Sequence, residues 1–277
     1  MMTISVSLMG CNPSLPNPQE FSNEGESITK GRILKPSNEL GKSVVAVISE
    51  TPEGQALCTG SIIAENLILT AAHCVEKGMA AVHILFSNQL DLFTEEQARS
   101  AKAIFQNPFW KKPNSIKQGD LAIIEFSGGL PPGYSPVQLA PKTFKVPEGE
   151  PVIFLGYGVT DGDRHEGAGT LRITKSKVIG QQSPTEIITD GRESSVCFGD
   201  SGGPAFAVLK NEYVQWGVAS SVLNQACNEA SIHTAVMSYE TWISSVIKKL
   251  GKTEKPKHRV RRKKERPTSY PLDLTQA

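Results

Sequence analysis

The 277-residue sequence lacks several things, and each lack narrows the choice of function. Past the N-terminus no run of about 18 apolar residues occurs, which excludes a hydrophobic membrane-spanning helix from that part of the chain. The net charge is only +1, so no bulk excess of either sign marks a nucleic-acid or membrane binder. Cysteine is sparse at five residues, and none forms a C-x-x-C pair, which argues against a zinc ribbon or a thioredoxin-like site. Asp91, Asp161 and Asp163 fall in loop-like stretches without the ligand spacing of a calcium loop. No internal repeat is present. No metal or other cofactor is therefore expected, and the length allows one large or two medium domains with a core of their own.

What the sequence does contain is a series of short apolar runs between evenly spread Gly and Pro residues: "KSVVAVIS", "SIIAENLILTAA", "LAIIEF", "PVIFLGYG" and "VQWGVASS". Val- and Ile-rich runs bounded by turn residues predict many short β-strands. One segment has another period. In "SYETWISSVIKKL", Tyr239, Trp242, Ile243, Val246 and Ile247 recur at i, i+3, i+4, i+7 and i+8, which predicts an amphipathic helix near the end of the chain.

The two ends differ from the middle. "LMGC", Leu8 to Cys11, resembles a bacterial lipobox, so residues 1–10 read as a signal peptide and Cys11 as a lipidated first residue. Residues 11–27 then form a linker or propeptide. After the helix, residues 251–277 read as a disordered basic tail: Lys248 to Arg266 carries eleven Lys/Arg against Glu254 and Glu265. Setting Cys11 aside leaves Cys58, Cys74, Cys197 and Cys227, which allow two disulfides in three connectivities.

The chemistry concentrates in "VCFGDSGGPAF", Val196 to Phe206. Gly, Asp, Ser and Pro together mark a turn, but two other stretches give this one a further meaning. "LTAAHCV" sets His73 at the end of an apolar strand, and "QGDLAIIEF" sets Asp120 at the mouth of another. A serine hydroxyl needs a base to remove its proton during attack. Imidazole titrates near neutrality and can serve as that base, then return the proton to the leaving group. A carboxylate is needed to fix the imidazole tautomer, and N–H donors to meet the developing oxyanion. His73, Asp120 and Ser201 supply the first three roles, and the N–H groups of Gly199 and Ser201 the last.

These motifs resemble the trypsin/chymotrypsin-like serine peptidases over residues 28–250. "TAAHC", "GDLAII" and "GDSGGP" carry the likeness, supported by "FLGYG" with Tyr157 at a tryptophan position, by "WGVASS" and by the C-terminal helix. The resemblance implies an all-β fold of two six-stranded antiparallel β-barrels with the active site in the cleft between them, followed by a C-terminal α-helix. It implies the pairings Cys58–Cys74 and Cys197–Cys227. It makes Ser220 a hydrogen-bond partner of Asp120, and Ser195, Val196, Ser220, Val222 and Ser231 the substrate-binding set. With no acidic residue at Ser195 and side chains at Val222 and Ser231, a small or medium apolar P1 residue is expected rather than Arg or Lys. Family members mature when a new N-terminal amine pairs with the Asp before the nucleophile, here Asp200. Ile28 fits by the pattern Ile-x-x-Gly, and Ile33 by its distance to His73 and its position after Arg32. The few cysteines and the N-terminal Cys11 suggest a bacterial branch.

The expectation is an exported serine endopeptidase made as a zymogen, periplasmic, secreted or anchored to an outer membrane through Cys11. It acts as a monomer on protein or peptide substrates, without nucleic acid. The rival reading is a non-catalytic binding protein on the same fold whose basic tail docks on anionic surfaces.

Overall fold

The computed structural model describes residues 31–76, 78–110 and 119–250. The expected signal peptide, Cys11, the propeptide, Ile28 and the basic tail lie outside the described residues.

Thirteen strands form the described chain: β1 (Arg32–Ile33), β2 (Val44–Thr51), β3 (Gly54–Ala64), β4 (Leu67–Thr70), β5 (Ala81–Leu85), β6 (Ala98–Gln106), β7 (Ala122–Phe126), β8 (Pro151–Gly156), β9 (Arg172–Ser183), β10 (Glu186–Asp190), β11 (Pro204–Leu209), β12 (Glu212–Val222) and β13 (Ala230–Ala235). One helix, α1 (Glu240–Leu250), ends it. Strands β2-β3-β4-β7-β6-β5 close into a first antiparallel barrel. Strands β9-β10-β13-β12-β11-β8 form the second, closed by the β8–β9 pairing, with β1 added along β9. The two six-stranded barrels and the C-terminal helix are those expected.

Local chemistry explains the tight connections. The β11–β12 hairpin turns through Lys210 and Asn211, both at positive φ, the conformation that a two-residue turn needs to match strand twist. Strands β2, β4 and β7 are buried along almost their whole length, which is why they read as continuous apolar runs rather than alternating ones.

Two features join the barrels. Val44, Ala46, Ile48 and Leu85 of the first pack with Leu155, Tyr157, Ile173 and Phe206 of the second in one buried cluster. The Tyr157 hydroxyl crosses that interface to donate to Ser87 O at 2.8 Å. The helix then returns from the second barrel to the first, burying Ile243, Val246 and Leu250 against the first barrel's core. It is shorter than its sequence period suggests: Val236–Tyr239 form a 3-10 turn, and α1 starts at Glu240. The apolar spacing continues across that change because Tyr239 also packs on the first barrel's core.

Candidate active site

His73 sits in a 3-10 turn, Ala72–Val75, that follows β4. The turn is tied down from three sides. The Cys58–Cys74 disulfide fixes it to β3, Gln106 Nε2 donates to Ala72 O and Val75 O at 3.2 Å, and Ser49 Oγ donates to Cys74 O at 2.6 Å. Cys74 Sγ lies 3.7 Å from His73 Nε2. Cys58, His73 and Cys74 bring their ligand atoms within 4.8 Å of one another, but both sulfurs are consumed in the disulfide, so the cluster offers no thiolate to a metal ion.

Asp120 lies just before β7 and is 1% exposed. The preceding Gly119 is held at both its backbone groups: Asn107 Nδ2 donates to Gly119 O, and Gly119 N–H donates to Glu186 Oε1, each at 3.0 Å. The Asp120 carboxylate accepts three hydrogen bonds, from His73 N–H at 3.0 Å, His73 Nδ1 at 2.7 Å and Ser220 Oγ at 2.7 Å. Burial alone raises its pKa, but the hydrogen bonds from the His73 ring, the Ser220 hydroxyl and the His73 N–H hold the carboxyl below its ordinary range. An ionised carboxylate only accepts, so the 2.7 Å contact assigns the proton to His73 Nδ1 and leaves the Nε2 lone pair free to act as a base.

Ser201 lies in the loop before β11 and lines the same cleft as His73 and Asp120. The cleft encloses about 730 Å³. Among the described residues no hydrogen bond joins Ser201 Oγ to His73, a contact that commonly tightens only when substrate is present. The N–H groups of Gly199 and Ser201 donate to no described residue. Gly199 adopts φ +92°, open to glycine and strained for other residues, and a Cβ there would stand 2.9 Å from Gly158 Cα.

Asp200, beside the serine, is fully buried and points the other way. Its Oδ1 accepts Gly158 N–H and its Oδ2 accepts Cys197 N–H, each at 2.8 Å. Burial pushes its carboxyl up to about 7 against the pull of these bonds and of the Arg172 charge. The approach requires glycine around Tyr157: a Cβ on Gly156 would meet Asp200 Oδ1 at 2.1 Å, and one on Gly158 would meet Asp200 Cγ at 2.5 Å. Ile33, one of the two expected mature ends, is 60% exposed in β1, paired with Arg172 of β9.

Of the expected substrate-binding set, Val196, Ser220 and Val222 line the cleft. Ser195 and Ser231 do not; both are fully buried. Ser231 is turned into a polar cluster, with its hydroxyl 2.8 Å from Thr189 Oγ1 and 3.0 Å from His233 Nε2. His233 stacks on Phe154 at 4.6 Å, and burial lowers its pKa to about 3, so this imidazole is neutral. The Cys197–Cys227 disulfide forms as expected, with Val222 packed against it. The cleft also gains Glu76, Trp110, Phe198 and Ser221, which sequence reasoning did not single out. Phe198 sits inside the serine motif itself and is stacked by His165 at 4.7 Å, so its position was a usable signal. Trp110 follows β6 in a turn and had none.

Two barrels, a cleft at their junction and a His–Asp pair beside a glycine-bounded serine define a trypsin-like serine peptidase. The trypsin family model matches residues 36–243, and the chain belongs to that family, whose members are serine endopeptidases. Its curated relatives include chymotrypsin-like elastase family member 1 of Homo sapiens, 27% identical over 213 residues covering 69% of this chain and 81% of the relative. The same elastase of Felis catus is 26% identical over 212 residues, covering 69% and 78%. Serine protease SP24D of Anopheles gambiae is 29% identical over 215 residues, covering 71% and 74%.

Proposed function

We propose that the protein hydrolyses peptide bonds with Ser201 as nucleophile, His73 as general base and acid, and Asp120 as the group that fixes the imidazole. The observation that carries this reading is the 2.7 Å bond between Asp120 and His73 Nδ1 on the wall of the cleft that Ser201 shares. As Ser201 Oγ attacks the scissile carbonyl, its proton moves to His73 Nε2, and the buried Asp120 charge offsets the imidazolium. The Gly199 and Ser201 N–H groups receive the oxyanion. His73 then protonates the leaving amine, and water repeats the sequence on the acyl-enzyme.

Val222 and Val196 at the cleft, with no acidic side chain among its lining residues beyond Glu76 and Asp120, support a small or medium apolar P1 residue. Ser195, which precedes Val196, and Ser231, the register partner of Val222 in β13, contribute to this preference through those two residues. Residues 28–250 act as the peptidase unit, and the chain is an exported zymogen monomer. The two disulfides support an oxidising compartment. Cleavage before Ile28 or Ile33 frees the amine that pairs with Asp200, and the "LMGC" stretch supports lipidation at Cys11 in a bacterial branch of the family.

Labelling with a fluorophosphonate probe tests the reading. Protein cut before Ile28 or Ile33 labels stoichiometrically, and Ser201→Ala abolishes the label. Absence of labelling from both cut forms rejects the catalytic reading in favour of a binding protein on this fold.

A further inference from the structure

Four consecutive carbonyl groups anchor the Ser201 loop. Phe198 C=O accepts Val159 N–H at 2.8 Å, Gly199 C=O accepts the Thr59 hydroxyl at 2.9 Å, Asp200 C=O accepts Gly203 N–H at 2.8 Å and Ser201 C=O accepts Thr59 N–H at 2.8 Å. A trans peptide points its N–H opposite to its C=O. Anchoring the Phe198 and Asp200 carbonyls therefore turns the N–H groups of Gly199 and Ser201 away from those anchors. The peptide between these two units is held at its N–H end, where Asp200 N–H donates to Cys197 O at 3.0 Å, and at its carbonyl end by Thr59. It begins at Gly199, whose missing Cβ and φ of +92° permit rotation about its bonds. Three of the four anchors are main-chain donors that almost any sequence provides. The Gly199 anchor is a side chain.

The Thr59 hydroxyl is itself held in one orientation. It accepts Tyr157 N–H at 3.2 Å, which leaves its single hydrogen to Gly199 O. The residue is 0% exposed in β3, and its own carbonyl accepts Thr70 Oγ1 at 2.8 Å. One side chain of the first barrel thus grips both the Tyr157 turn and the nucleophile loop of the second.

We infer that Thr59 is a positioning residue for the oxyanion site: its hydroxyl fixes the carbonyl end of the Gly199–Asp200 peptide, complementing the Asp200–Cys197 bond at the other end, and thereby keeps the Gly199 and Ser201 N–H groups aimed at the reacting carbonyl. The inference rests on the endopeptidase reading with Ser201 as nucleophile. Thr59→Val keeps the side-chain shape and removes the donor, and Thr59→Ser keeps the donor and removes a methyl group. The variants are compared, after active-site titration, on a peptide anilide with Ala at P1 and on a peptide boronate that forms a tetrahedral adduct.

Thr59→Val is expected to lower kcat roughly tenfold with KM within about twofold, and to weaken the boronate by the same factor as kcat/KM. Thr59→Ser returns both to near the parent values even where its melting temperature falls. A role in stability alone would lower the melting temperature of both variants and leave the kcat and boronate changes unpaired. Parental kcat in Thr59→Val, or an equal loss in Thr59→Ser, overturns the inference. If Thr59→Val does not fold, Thr59→Ala replaces it under the same criteria. A parent enzyme that fails to label with fluorophosphonate would instead reject the catalytic reading.

Discussion

Replacing Asp200 by Asn in the uncut chain isolates the energetics of the activation carboxylate. The group is fully buried, and its folded pKa of about 7 stands against an ordinary value of 3.8. Between these values the folded chain holds a proton that the unfolded chain has released. The stability from this group is therefore fully present below pH 3.8 and is lost as the pH rises through about 7. About three pH units at ~1.4 kcal/mol each amount to ~4 kcal/mol. His233 works in the opposite sense: its folded pKa of about 3 lies below the ordinary 6.5, so its contribution is present above pH 6.5 and is lost as the pH falls through about 3. The raw stability curve sums both, and only a difference separates them. Urea unfolding from pH 4 to 8 would compare Ser201→Ala, which prevents self-digestion, with Ser201→Ala/Asp200→Asn. The Asp200 chain should lose about 4 kcal/mol relative to the Asn chain as the pH rises from 4 to 7. A flat or reversed difference in the uncut chain would refute the argument. In chain cut before Ile28 or Ile33 the reversed slope is the expected one, because an ammonium paired with Asp200 lowers its pKa.

Two further outcomes follow from the geometry. Val222→Gly should widen the cleft and raise kcat/KM for Phe at P1 relative to Ala by roughly tenfold or more, read from paired peptide anilides. Tyr157→Phe removes the donor that crosses the barrel interface and leaves Ser87 O without it, so thermal unfolding should show a loss of about 1–2 kcal/mol while kcat changes less than about twofold.

The strands were legible where the chain is buried on both faces. "SVVAVIS" and "LAIIEF" became β2 and β7 because continuous burial demands a continuous apolar run. Strand β9, "RITKSKVIGQQS", was not legible: it is long, largely polar and half in solvent, and its partners change along its length from β8 to β10. The helix was legible by its period, but its start was not, since a 3-10 turn can extend the same apolar face.

By itself the sequence determined the chemistry of the nucleophile loop, because local conformation there depends on residue type. A serine flanked by glycines that can adopt positive φ, and a carboxylate that needs glycine on the turn it approaches, leave a compositional trace. Tertiary structure decided which side chains meet across the two barrels. It buried Ser195 and Ser231, brought Trp110 and Phe198 to the cleft, and placed the Thr59 hydroxyl against Gly199, 140 residues further along the chain. Those placements follow from strand register and barrel closure, which no local stretch of sequence encodes.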